Sequence, residues 1–247
     1  MLNRSSALLW ISLLSMVLSG PVLAEESPNQ APDKTPSASD EAADAKETVQ
    51  AAADVVEQLR SNPETRQSLQ QAKAVFIVPD YGRASLGVGG AGGQGVLIAN
   101  NNGRWSGPAF FNIGSASLGL QGGISAGSIA FLVMSNDALA GFRDKNNFSL
   151  NADAGLTIVN WSARAQASAG KGADVIAWSD TKGLYGDLAV SVTDIFRDAD
   201  ANKAYYQRTA SASDIINGKV SPPSSRLESE FSALESDQPT QKPSHEE

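Results

Sequence analysis

Two runs of two-residue alternation constrain this chain most. Phe148, Leu150, Ala152, Ala154, Leu156 and Ile158 alternate with Ser149, Asn151, Asp153, Gly155 and Thr157, and Trp161, Ala163, Ala165, Ala167 and Ala169 alternate with Ser162, Arg164, Gln166 and Ser168. Successive side chains of a strand point to opposite faces, so this spacing predicts half-buried strands rather than helices. Asp174 to Trp178, the turn Asp180-Thr181-Lys182-Gly183 and Leu184 to Val192 extend the pattern as a hairpin. Upstream, Ala74-Val75-Phe76-Ile77-Val78, ended by Pro79, has the continuous apolar character of a strand buried on both faces, and Val96-Leu97-Ile98, Ile113 to Ile124 and Ile129 to Val133 add further strands.

Helical periodicity is confined to the edges of this β region. Ala42, Ala45, Val49, Ala52, Val56 and Leu59 recur at three- and four-residue steps and form one apolar stripe. Asn62-Pro63 is a helix start, a capping residue with proline at the first helical position, and the helix it opens carries Leu69 and Ala72 toward the core. Ser135 or Asn136 caps another, with Asp137 at its start and Arg143 at its end, as the helix dipole prefers. The fold class is therefore α+β: a twisted, mainly antiparallel sheet, sandwich or barrel-like, from about Leu69 to Val192. Helices from Glu41 to Arg60 and from Asp137 to Lys145 pack on it, and disordered tails flank the whole.

Several motifs suggest chemistry and fail on inspection. Gly87-Val88-Gly89-Gly90-Ala91-Gly92 has the spacing of a dinucleotide-binding loop, but the chain continues as strand through Val96-Leu97-Ile98 where that loop needs a helix N-terminus. Glycines placed this way let backbones approach closely or strands bend. Asp198-Ala199-Asp200-Ala201-Asn202 copies half a calcium loop, but Lys203 stands where glycine is required and Thr209 where the bidentate glutamate belongs, so the segment reads as a surface turn with solvated acids. The sole histidine, His245, lies three residues from the C-terminus, and there is no cysteine. Histidine triads, thiol nucleophiles and nitrogen or sulfur zinc sites are thereby excluded. Asp153 and Asp187 are the most conspicuous acids on expected strands, and they form no defensible acid–base pair. No catalytic residue, metal or cofactor is expected.

At the N-terminus, Arg4 precedes a charge-free, largely apolar stretch from Ala7 to Leu18, and Val22-Leu23-Ala24 supplies small residues at a cleavage-site spacing. This is the pattern of a signal peptide over residues 1–24, too short in its apolar part for the ~20 residues of a membrane span. Residues 25–40 read as a disordered linker, 41–217 as the domain, and 218–247 as a low-complexity acidic tail in which Leu227, Phe231 and Leu234 allow one short amphipathic helix. Past Ala24 the chain carries 18 basic and 27 acidic residues, a net charge of −9, which argues against nucleic acid as a partner. Without disulfides such a chain depends on a hydrophobic core, which suits an envelope protein, periplasmic or peripheral, of a Gram-negative bacterium.

The order of motifs resembles the SYLF domain. The resemblance is carried by Ala72-Lys73-Ala74-Val75-Phe76-Ile77-Val78-Pro79, the glycine tract from Gly87 to Gly95, Trp105-Ser106-Gly107-Pro108-Ala109-Phe110 and Leu132-Val133-Met134-Ser135-Asn136. It continues through Thr181-Lys182-Gly183-Leu184-Tyr185, and closes on Asn202 with Tyr205-Tyr206. It spans about Leu69 to Asn217 and implies a non-enzymatic, lipid-associated module. Eukaryotic members bind phosphoinositides and, in fungi, actin, while bacterial members are exported. For an exported chain this implies a lipid or anionic membrane surface, weakly held, as the partner, with no actin expected. Members often carry a basic membrane-engaging N-terminal helix. Here the corresponding helix carries Asp40, Glu41, Asp44, Glu47, Asp54 and Glu57 against Lys46 and Arg60, and is expected to be repelled by an anionic surface.

Two alternatives compete with that reading, an outer-membrane β-barrel and an enzyme using carboxylates. A barrel needs large lipid-facing side chains and aromatic girdles, whereas the outward candidates after Trp161 are alanines and aromatics make up 6% of the chain. The candidate lipid-binding residues are Lys73, Arg83, Arg104, Trp105 and Lys182, basic groups beside the shared motifs with an amphipathic ring among them, and Tyr81 is a second ring of that kind. If they converge, binding to anionic liposomes is weak and salt-dependent, and a chain with Arg83 and Arg104 both changed to glutamate sediments less with such vesicles. Equal sedimentation of the two chains counts against the site.

Overall fold

The frame of the fold is a ribbon of two long antiparallel strands, β1 (Ala74–Asn101) and β3 (Ala109–Val133), with β2 (Arg104–Trp105) in the connection between them. The computed structural model describes residues 37–150, 158–160, 173–180 and 194–236, with the backbone alone at 83–89, 115–125, 159–160 and 235. The ribbon is paired from Ala74 opposite Val133 to Leu97 opposite Ala109, so the short strands expected on either side of the glycine tract are continuous. Register shifts between Val78 and Tyr81 and between Ser85 and Gly87 absorb what the sequence presents as breaks. Pro79, which has no N–H to give a ladder, sits in the first of these bulges, and Ser128 Oγ donates to its carbonyl at 2.9 Å.

β1 doubles back over itself. Asn100 N–H donates to the Lys73 carbonyl at 2.8 Å, so the two ends of the segment meet. Further in, a Cβ on Gly93 would lie 2.6 Å from the Asp80 carbonyl oxygen and 2.8 Å from Val78 Cγ1, and one on Gly95 would press on the Ile77 carbonyl oxygen. These glycines serve close backbone approach, the role expected of the tract. The curled sheet is completed by β6 (Val175–Ser179), antiparallel to β3 from Ile129 opposite Ser179 to Val133 opposite Val175. β5 (Ile158–Asn160) runs parallel to β6, while β7 (Asp194–Arg197) pairs with β3 and β4 (Asn147–Phe148) with β7. The α+β, mainly antiparallel class is as expected. Most of the alternating runs, 151–157 and 161–169, and the second arm of the expected hairpin lie outside the described residues.

Residues 74–79 and 129–133 are buried on both faces of the sheet, which leaves no lipid-facing set of positions there and speaks against the barrel alternative. The scarce aromatics are concentrated in the core: Phe76 has the rings of Phe142, Phe111 and Phe131 at 5.3, 6.1 and 6.1 Å. Helix α1 (Ala38–Ser61) buries the expected stripe Ala45, Val49, Ala52, Val56 and Leu59. It begins three residues before Glu41 because Ser37 and Asp40 form a capping box, and the hydrogen bond from Ser37 holds the Asp40 carboxyl below the usual carboxylate range. Helix α2 (Pro63–Gln71) starts at the Asn62 cap and buries Leu69, and α3 (Asn136–Asp144) is capped by Ser135. The Arg197 guanidinium closes the far end of α3, donating to the Arg143 carbonyl at 2.6 Å.

The segment read as a surface turn is instead the start of a helix. Asp198 caps α4 (Ala199–Tyr206) by accepting from Ala201 N–H at 2.9 Å, and it also accepts from Gln94 Nε2 at 2.9 Å and Asn112 Nδ2 at 2.8 Å. Its carboxylate joins β1, β3 and α4, and Gln94 passes the connection to α1 by accepting from Thr48 Oγ1 at 2.8 Å. Asn202, 1% exposed, stands in for a missing strand partner: Phe110 N–H donates to its Oδ1 at 3.1 Å and its Nδ2 donates to the Phe110 carbonyl at 3.2 Å. After α5 (Ala212–Ile216), the tail carries α6 (Arg226–Ser236), whose Leu227, Phe231 and Leu234 are buried, so the packed unit continues well past residue 217.

Changing Asn202 to leucine, which keeps the branching and heavy-atom count of the side chain, strands the Phe110 N–H, while the Phe110 carbonyl keeps the Asp198 N–H at 3.1 Å. A buried orphan costs about 1–3 kcal/mol. In urea titration the midpoint is expected to fall with the slope unchanged, and an unaltered midpoint would contradict the pairing.

Candidate functional site

The best-defined groove lies where β1 turns into β2, and local chemistry fixes its wall. Asn102 and Gly103 have φ of 57° and 90°, the two left-handed residues of a tight hairpin turn, and Asn101 pairs with Arg104 across them. Gly103 N–H donates to Asn100 Oδ1 at 2.7 Å. The pairing persists one step further: Ser106 N–H donates to the Ala99 carbonyl at 2.8 Å, and Ala99 N–H donates back to Ser106 Oγ at 3.0 Å. Trp105 then leans on α6, its ring 4.5 Å from that of Phe231. A side chain on Gly107 would strike the Tyr206 hydroxyl and lie 2.9 Å from Pro222 Cβ, so Trp105-Ser106-Gly107-Pro108 passes between α4 and the 217–225 loop only with glycine at its centre.

Two clefts open on this wall. One, of about 140 Å3, reaches between Ile98, Trp105, Leu227 and Phe231, and the other, of about 520 Å3, spreads over Asn101, Arg104, Gly218 and Pro222. They share Arg104, Trp105, Ser106, Gly107, Pro222 and Glu228, so a cation and an anion flank a largely apolar, aromatic floor. A larger cleft of about 720 Å3 between α1 and α4 carries Lys46, Lys203 and Arg208 against Glu41 and Asp200 and contains none of the candidate lipid-binding residues. Among the described residues no group of acids, histidine or cysteine is placed to hold a metal, and no helix is long and apolar enough to cross a membrane.

Of the sequence candidates, Lys73, Arg104 and Trp105 gather at one end of the ribbon. Lys73 is exposed and its carbonyl accepts from Asn100, whose strand partner is Trp105. Arg83 is opposite Ser125, ten residues along β1 from Lys73 and so about 30 Å of strand away. The backbone therefore does not bring it to the same place, and its side chain is outside the described residues, as is Lys182 altogether. Tyr81, expected to offer an amphipathic ring, is 5% exposed and belongs to the core. The acidic face of α1 also differs from expectation in its use. Asp54 and Glu57 both pair with Arg226, and Arg60 pairs with Glu230 at 2.5 Å, so part of that charge fastens α6. Glu228, Phe231 and Pro222 were missed as site residues because the segment carrying them reads as tail, while the Asn102-Gly103 turn that builds the wall is a hairpin signal in plain sight.

Comparison with known proteins finds a family and relatives described by what they bind or regulate. The family model "Ysc84: Las17-binding protein actin regulator" matches residues 114–234. LAS seventeen-binding protein 3 of Saccharomyces cerevisiae is 30% identical over 160 residues, covering 63% of this chain and 35% of that protein. Protein YSC84 of the same yeast is 28% identical over 160 residues, 63% of this chain and 34% of its own length. An SH3 domain-containing protein of Schizosaccharomyces pombe is 26% identical over 160 residues, with 63% and 37% covered. The chain thus spans about a third of the length of the curated relatives it matches. These descriptions correct the expectation that actin lies outside the partner range, because the matching family is described as an actin regulator and one relative is named for binding a protein.

Tyr206 offers a direct probe of the wall. Its hydroxyl donates to the Pro108 carbonyl at 3.0 Å, and burial, followed by the neighbouring Tyr205, pushes its pKa far above the usual tyrosine value. The folded chain keeps a proton that the unfolded chain releases near pH ~10, so this contribution to stability is complete below that pH and shrinks as pH rises beyond it. Tyr206→Phe is expected to cost about 1 kcal/mol at neutral pH. The gap between the two chains should narrow at alkaline pH, since phenylalanine does not titrate. Urea unfolding at neutral and alkaline pH measures it, and a constant gap would contradict a buried, neutral Tyr206.

Proposed function

The chain carries a domain of the SYLF (Ysc84) family, and on that premise we propose that it is a non-enzymatic binding module, exported to a bacterial cell envelope, that holds a macromolecular partner. The observation that carries the reading is the groove beside Trp105: shallow, aromatic-floored, flanked by Arg104 and Glu228, and without paired acids or a nucleophile–base pair among its lining residues. A surface of this makeup suits recognition, where an aromatic anchor contributes area and a few charges fix orientation. Export is supported by the leader pattern of residues 1–24.

Two partner classes draw support from different observations. A protein partner of the actin-regulatory kind is supported by the descriptions of the family and of the yeast relative, which apply to proteins about three times as long as the matched stretch. Lipid association is supported by the gathering of Lys73, Arg104 and Trp105 at one end of the ribbon. Each basic group near an anionic surface contributes about 1 kcal/mol. With a net charge of −9 past residue 24 this attraction is local and sensitive to salt.

The test is sedimentation at low salt of the chain from Glu25 onward, with vesicles containing anionic phosphatidylglycerol and, separately, with filamentous actin. The wild type is expected to pellet with at least one of them, and a Lys73→Glu, Arg104→Glu chain to pellet less. Vesicles alone select lipid, filaments alone select a protein partner, and failure with both sinks the proposal.

A further inference from the structure

Helix α6 is fastened to the rest of the protein in an unusual way. Its main packing is on α1, with smaller contacts to α2 and β2. Leu227, Phe231 and Leu234 face inward, and Phe231 meets Trp105. Its polar fastenings are ion pairs: Arg226 with Asp54 and Glu57, which raise the arginine's pKa, and Arg60 with Glu230. Asp54 and Glu57 are solvent-exposed and Arg226 is partly so, so salt screens their attraction and each contributes little alone, whereas Arg60 and Glu230 are more buried and screened less.

Taken off this seat, α6 has little to keep it helical. It is 11 residues long, includes Ser229, Ser232 and Ser236, and has no basic residue in its last turn. Helices shorter than about 12–15 residues are marginal in water, so release and melting go together. The 217–225 loop that tethers it carries Pro222 and Pro223, and the two clefts lie along its edge, one of them running beneath it between Ile98 and Phe231.

We propose that α6 is a releasable strap, and that the face it covers is a docking face for an amphipathic helix of a protein partner. That face consists of Trp105 and Ile98 on the sheet side and Asp54, Glu57 and Arg60 on α1. The occupant's chemistry is dictated by charge complementarity: a basic residue to meet Asp54 and Glu57, an acid four residues later to meet Arg60, and apolar residues one, five and eight positions after the basic one. This is the spacing of Arg226, Glu230, Leu227, Phe231 and Leu234. The inference depends on neither vesicle nor filament binding.

Hydrogen exchange on the chain from Glu25 onward tests the strap. In the wild type, amides of 227–236 are expected to exchange at least about tenfold faster than those of 129–133, and Arg226→Glu or added salt to accelerate the helix further while leaving 129–133 unchanged. A labelled peptide of residues 224–237 should bind the Arg226→Glu chain about tenfold more tightly than the wild type, whose seat is filled in cis. The same peptide carrying Phe231→Ser should not bind. Equal exchange of α6 and 129–133 in the wild type overturns the strap without any variant. Failure of the Arg226→Glu chain to take up the peptide overturns the docking face.

Discussion

The two halves of β1 press backbone against backbone at Gly93 and Gly95, and much of the molecule follows from that approach. A side chain at either position would meet the carbonyl of Asp80 or Ile77. Without the approach, a strand of 28 residues paired with one of 25 would be an extended two-stranded ribbon, which is marginal in water. With it, the ribbon curls, β3 is carried round with β1, and Phe76, Phe111, Phe131 and Phe142 come together in one interior. The same doubling brings Lys73 beside Asn100 and so delivers the first strand's entry to the Asn102-Gly103 turn. The groove is thus a product of the curl rather than of the loops around it.

Polar groups then fix what the apolar core leaves free. Asn202 completes the ladder at Phe110, Asp198 gathers Gln94 and Asn112, and Tyr206 holds the Pro108 carbonyl. All three belong to α4 or its cap, and all three reach the strand segment that carries Trp105-Ser106-Gly107-Pro108 or its neighbours. A hydrophobic core tolerates small slips of a helix along a sheet, whereas paired hydrogen bonds to buried backbone groups do not. Helix α4 therefore sets the position of the wall on which the groove depends, while α6, held by its apolar face and by ion pairs to α1, sets what covers it.

How much of this was legible in the sequence depended on whether the signal was local. The apolar stripe of α1, the caps at Asn62 and Ser135, and the buried strand from Ala74 to Val78 follow from spacing over a few residues. Close approach was readable, beside strand bending, as a role for so many glycines in strand-like surroundings. Which backbone they approach was not, since Gly93 and Asp80 are neighbours only after the ribbon bends. Pro79 looked like a strand end because a missing donor usually ends pairing, and a bulge made it harmless. Asp198 and Asn202 looked like solvated turn residues because their partners, Gln94, Asn112 and Phe110, are 104, 86 and 92 residues distant. Leu227, Phe231 and Leu234 looked like tail because the prolines and serines around them outweigh three apolar residues, and their burial, the Trp105–Phe231 contact and the ion pairs to α1 reveal the seat.

The central claim is that β1 is pressed against itself without intervening side chains, and a pair of glycine substitutions tests it most directly. Gly90 lies on the same strand with open space where a Cβ would stand, whereas a Cβ on Gly95 would meet the Ile77 carbonyl. Thermal melting of Gly90→Ala should match the wild type or exceed it slightly, because alanine restricts the unfolded chain. Gly95→Ala should melt roughly 2–12 °C lower, the effect of about 1–3 kcal/mol of overpacking. Equal melting temperatures for the two variants would contradict the doubled strand.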